Sequence, residues 1–96
     1  MKAIIKEVGN QPKVEDIKNE LETLQNLVGG YLEVVNVGSG IALVVNEEGK
    51  LEDLPANFPL GHDVIVGTAV FVAYGNGGEF TDLSEAQVQM IMNFLG

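Results

Sequence analysis

The sequence predicts an α+β fold, a mostly antiparallel sheet of about five strands with two helices packed on one face. Three observations carry this. Short runs rich in Val, Ile and Leu alternate with Gly-containing turns. Two segments place apolar residues at helical spacing behind capping-box patterns. The stretch Asp63 to Tyr74 is almost continuously apolar, as expected of a central strand.

Taken in order, Lys2 to Val8 reads as a strand and ends at the turn cluster Gly9-Asn10-Gln11-Pro12. Ile17, Leu21, Leu24 and Val28 lie at helical spacing. Asn19-Glu20-Leu21-Glu22 has the form of a capping box, with Asn19 as N-cap and Glu22 at N3. That start makes Lys13 to Ile17 a short second strand, and Gly29-Gly30 ends the helix. Tyr31 to Val37 and Ile41 to Val45 read as strands joined by the hairpin turn Gly38-Ser39-Gly40. Asn46-Glu47-Glu48-Gly49 is a further turn, and Leu51 to Gly61, with Pro55 and Pro59, reads as irregular. Asp63 to Tyr74 reads as one long strand, followed by the glycine-rich loop Gly75-Asn76-Gly77-Gly78. Ser84 as N-cap with Gln87 at N3, and Leu83 set to staple Val88, begin a last helix whose stripe is Val88, Ile91, Met92 and Leu95.

Length and composition narrow the function. A chain of 96 residues fits a single α+β domain over 1–96. It buries roughly 60–65% of its unfolded surface and leaves little volume for a deep private pocket. The absence of cysteine excludes disulfides and thiolate metal sites. No apolar run reaches the about 18–20 residues of a membrane span, and Met1 to Glu7 lacks the form of a signal peptide, so a cytoplasmic location is expected. The net charge is −9, with five lysines and no arginine, and no basic residue follows Lys50. This balance argues against direct nucleic-acid binding, which needs cations to displace counterions, and against anionic membranes. It suits either solubility alone or an acidic face directed at a basic partner.

No catalytic, metal or cofactor set stands out, and the chain reads as non-enzymatic. His62 is the single histidine, with neither a second His nor Cys for zinc. Ser39 and Ser84 are explained as turn and cap residues. The Gly75–Gly78 loop lacks the Lys and the following helix of a phosphate loop. Asn46, Glu48 and Lys50 alternate as in a calcium loop, but the lysine spoils the set. The candidates left are partner contacts: the acidic residues Glu47, Glu48, Glu52 and Asp53 around one turn, and Phe58 between two prolines.

Over nearly its full length the chain resembles a domain-of-unknown-function family of short acidic proteins of bacterial phages, plasmids and conjugative elements. The resemblance rests on Met1-Lys2-Ala3-Ile4-Ile5, on the segment Leu24 to Val35 and on Asn46-Glu47-Glu48-Gly49-Lys50-Leu51. It continues through Leu54-Pro55-Ala56-Asn57 and Asp63 to Thr68. It implies no chemistry; what it implies is a setting, since accessory genes of mobile elements often counter host defences. The leading expectation is therefore an interaction protein whose acidic surface binds a basic surface of a host protein, such as the nucleic-acid groove of a defence nuclease. The alternative is a homo-oligomer that captures a nucleotide or other small metabolite in a pocket between subunits. Salt separates the two, because charge pairing weakens with ionic strength and apolar capture does not.

Overall fold

A computed structural model of the protein describes residues 1–96. In chain order the elements are β1 (Lys2–Lys6), β2 (Lys13–Asp16), α1 (Leu21–Val28), β3 (Leu32–Gly38), β4 (Ile41–Asn46), β5 (Ala56–Leu60), β6 (Asp63–Val66), β7 (Ala69–Tyr74), β8 (Phe80–Thr81) and α2 (Glu85–Leu95). The fold is α+β. The main sheet runs β2-β1-β7-β4-β3, with the short β8 also paired to β7, and every pairing is antiparallel. β5 and β6 form a separate hairpin. No helix is long and apolar enough to cross a membrane.

The two helices lie on opposite faces of the sheet, which corrects the expectation that both cover one face. The reason is legible in β4, where all six residues are buried, and in β7, where five of six are. Side chains alternate between faces along a strand, so a strand buried throughout needs cover on both sides. On one face Ile4, Leu43 and Phe71 meet Val88 and Ile91 of α2 and Phe58 and Ile65 of the small hairpin. On the other, Ala3, Ile5, Ala42, Val44, Val70 and Val72 meet Leu24 and Val28 of α1.

The apolar run Asp63 to Tyr74 is broken into β6 and β7 at Gly67. That residue has φ 72°, and a Cβ there would sit 2.8 Å from Leu54 Cδ1. The break lets β6 leave the sheet to pair with β5, so Leu51 to Gly61 contains a strand where irregular chain is expected. Asn57 fastens this hairpin to the sheet. Its Nδ2 donates to the carbonyls of Lys6 and Gly67, each at 2.8 Å, and its Oδ1 accepts from Lys6 Nζ at 2.9 Å.

The helix starts differ in how well the sequence foretells them. Ser84 Oγ accepts from Gln87 N–H at 3.1 Å and Gln87 Oε1 from Ser84 N–H at 2.9 Å, the predicted capping box. Gln87 Nε2 also donates to Ser39 O at 2.9 Å, holding the β3–β4 turn against α2. The box expected at Asn19 does not form. α1 is capped at Glu20 without a side-chain bond, and Asn19 Nδ2 instead donates to Phe80 O at 2.8 Å. The helix therefore starts one residue later than the box requires, with Asn19 outside it and tied to β8.

Candidate interaction site

β4 ends at Asn46, which is 5% exposed and the one buried polar residue of the chain. Its side chain organises what surrounds it. Oδ1 accepts from Glu48 N–H at 2.8 Å, folding the following residues into an Asx turn. Nδ2 donates to Val28 O in the last turn of α1 and to Glu52 Oε1, each at 3.3 Å. The α1 terminus comes close because Gly29 is left-handed, with φ 84°, and its N–H bonds to Gln25 O at 2.8 Å. A Cβ on Gly30 would approach Asn46 Nδ2 to 3.0 Å, a tight contact, so glycine there lets the helix end sit close against the amide without displacing it. From Glu48 onward the chain makes two further turns, closed by Glu52 N–H to Glu48 O at 2.9 Å and Leu54 N–H to Gly49 O at 3.0 Å.

This arrangement separates the four acidic candidates. Glu48 and Glu52 line one open concavity with Asn46, Tyr31 and the Gln25–Gly30 end of α1. Glu47 lies on a different groove, with Glu33, Lys50 and Asp63. Asp53 is exposed in a left-handed conformation, φ 58°, as the turns end. Phe58 does not belong to the set. It is 8% exposed, stacked on Phe71 and edge-on to Phe94, each at 6.0 Å between ring centres. β5 turns it inward, so it is a core residue and not a surface contact.

The concavity is electronegative for two reasons that add. It holds two carboxylates, and it lies at the C-terminal end of a helix whose last turn carries no basic residue to offset the exposed carbonyls. Tyr31, 67% exposed, sets an aromatic ring at the rim. Carboxylates, helix carbonyls and a ring face are the groups that receive a guanidinium or ammonium. Three of the five lysines are engaged with other partners. Lys50 is ion-paired with Asp63, Lys13 lies 3.5 Å from Glu7, and Lys6 donates to Asn57 and to Glu7 O. The Lys50 ammonium donates to the Asp63 carboxylate, which also accepts from Val64 N–H at 2.8 Å, and these bonds hold its carboxyl below the ordinary aspartate value.

The other candidates resolve as turn chemistry. His62 is exposed at the tip of the β5–β6 hairpin. In the Gly75–Gly78 loop, Gly77 N–H already donates to the Glu79 carboxylate at 3.1 Å, so a side chain of the same chain occupies the place a phosphate would take. A separate apolar groove of about 180 Å³ lies between α2 and the β3–β4 turn, lined by Val37, Leu60, Phe71, Met90 and Phe94 among others.

Fold and site together define a small antiparallel α+β protein with an electronegative concavity built around one buried asparagine. The chain belongs to the family described as a domain of unknown function (DUF3846), whose model matches residues 1–96. Neither curated proteins nor solved structures give a match.

Proposed function

We propose that the protein is a non-enzymatic interaction module whose acidic surface binds a basic surface of another protein. The observation that carries this reading is the pairing of Glu48 and Glu52 with the carbonyl end of α1 and the exposed Tyr31 ring in one concavity. Each of these groups favours a cation, and an arginine side chain can use all three kinds at once. Glu47 and Asp53 extend the negative field beyond the concavity, and at a net charge of −9 that field speeds the encounter with a cationic partner at low salt.

The partner class this supports is a protein with a cationic groove. A nucleic-acid-binding host protein, including a defence nuclease countered by a phage or mobile element, is the specific form we propose. Carboxylates on a rigid turn present negative charge where such a groove expects phosphates. The test is affinity capture from host lysate at low and high salt, with wild type beside Glu48→Lys. The reading expects a basic protein that wild type retains at low salt, that salt elutes, and that Glu48→Lys fails to hold. Equal capture by both proteins, or capture indifferent to salt, removes the concavity from the function.

A second reading, small-molecule capture, draws on the apolar groove beside α2. That groove suits a small apolar ligand and not a nucleotide, since no cationic side chain lines it.

A further inference from the structure

We propose that the outer edge of β3 is a pairing edge for a second copy of the same chain, joining two main sheets antiparallel about a twofold axis at Val34. This edge adjoins the acidic concavity at Tyr31 but does not rest on the function proposed for it.

β3 ends the order β2-β1-β7-β4-β3, so its far side has no neighbour. Glu47 N–H donates to Tyr31 O at 2.8 Å. In an antiparallel ladder bonded and non-bonded pairs alternate. The pairs Glu33–Val45 and Val35–Leu43 are therefore the bonded ones, while Leu32, Val34 and Asn36 direct their N–H and C=O groups away from β4. β4 agrees, because Tyr74 N–H donates to Gly40 O, which makes Ala42–Val72 and Val44–Val70 the bonded pairs toward β7 and leaves Leu43 and Val45 for β3.

β3 is also the longest strand of the chain and lacks the devices that usually blunt an edge. It has no proline and no lysine, and its one charge is Glu33. The irregularity between Asn36 and Gly38 falls at its end and leaves Leu32 to Asn36 in regular register. Val34, 42% exposed, stands in the middle.

Register suits the edge to a second copy of itself. With the axis at Val34, Leu32 meets Asn36 and Val34 meets Val34, so the three outward donors of each copy meet the three outward acceptors of the other. Glu33 then falls beside Val35, and no carboxylate on the edge opposes its own counterpart. An axis at Glu33 would oppose the two carboxylates directly, which cross-strand pairing disfavours. Two copies of a chain with net charge −9 still repel at long range. Self-pairing therefore strengthens as salt is added, the reverse of binding to a basic partner.

The test combines solution mass with amide exchange on the whole chain. Sedimentation at micromolar and millimolar protein should give a concentration-dependent rise from 10.3 kDa to twice that mass. The rise should be larger at about 1 M than at about 0.1 M salt, where the screening length is roughly 3 and roughly 10 Å. In the concentrated sample, exchange at the Leu32, Val34 and Asn36 amides should slow at least about tenfold, while Glu33 and Val35, already bonded to β4, change little. Val34→Glu places two carboxylates face to face and should return the protein to a monomer. If that variant fails to fold, the exchange pattern of the wild type decides alone. A monomer at every concentration and salt overturns the proposal. So does an assembly larger than a dimer, or a dimer in which these three amides stay unprotected.

Discussion

Replacing Asn46 removes the side chain that joins the α1 terminus to the acidic turn. In Asn46→Ala the Val28 carbonyl and the Glu48 amide lose their partner at 3.3 and 2.8 Å, and Glu52 loses its bond to Nδ2. An unpaired buried polar group costs about 1–3 kcal/mol, while water replaces the more exposed contacts, so the total falls at about 2–4 kcal/mol. For a domain of this size each kcal/mol moves Tm by about 4–8 °C, which predicts a fall of roughly 8–32 °C. Asn46→Asp changes the charge at the same position. It keeps an acceptor for the Glu48 amide but turns a carboxylate toward the Val28 carbonyl and Glu52. Burial and the neighbouring charge then raise the pKa of the introduced acid in the folded state. A raised folded pKa means that the penalty is absent below the unfolded value, about 4, and grows as pH rises through the folded one. The assay is a set of thermal melts of wild type and both variants between acidic and neutral pH. An Ala variant within about 1 kcal/mol of wild type would refute the organising role of the amide, as would an Asp variant whose deficit is the same at all pH values.

Three further outcomes follow from the packing and the ion pairs. Ile91, 3% exposed on the inner face of α2, should cost about 2–5 kcal/mol when cut to Ala, read by denaturant unfolding, and a value near zero would mean that α2 is docked by another face. Asp63 has its carboxyl held down by Lys50, so the stability it adds is present above the ordinary aspartate pKa and lost as pH falls through the depressed one. Asp63→Asn should therefore melt below wild type near neutrality and converge with it below about pH 4, and a gap that persists in acid would contradict the pairing. His62→Ala at the exposed hairpin tip should leave both Tm and partner capture within error of wild type, whereas a loss of capture in a folded variant would give the histidine a role.

The order of elements is largely legible in the chain because each boundary has a local cause. The Ser84–Gln87 box, the Gly29 cap and the Gly38-Ser39-Gly40 turn are decided by neighbours a few residues away. What is misread is decided at long range. Nothing near Asn19 announces that its amide bonds to Phe80 O, and nothing near Thr68 announces that Gly67 must make room for Leu54. The placing of α1 and α2 on opposite faces does leave a trace, the unbroken apolar run Ile41 to Val45 of β4, which calls for cover on both sides, but nothing in that run says which element supplies the cover of each face. For the site, the acidic turn is visible as Glu47-Glu48 and Glu52-Asp53. The sorting of those residues into different grooves depends on the α1 terminus, which joins them only through Asn46. The signal available was an asparagine immediately before Glu47-Glu48-Gly49, the pattern of a side chain that folds the turn after it. Phe58 is misassigned for the opposite reason. Its flanking prolines read as surface chain, although β5 carries the ring inward onto Phe71.

Whether the concavity of Glu48, Glu52 and Tyr31 receives a cationic group from a protein partner is read from the association rate of the captured partner with wild type and with Glu48→Lys, measured by stopped flow across a range of salt. Glu48 is the position to change, because its side chain makes no bond to Asn46 whereas Glu52 does. The wild-type rate should fall at least about tenfold between low and physiological salt. The variant, folded and with an unchanged Tm, should start slower and follow a flatter salt dependence. Equal rates for the two proteins, each indifferent to salt, would remove the concavity from the binding face.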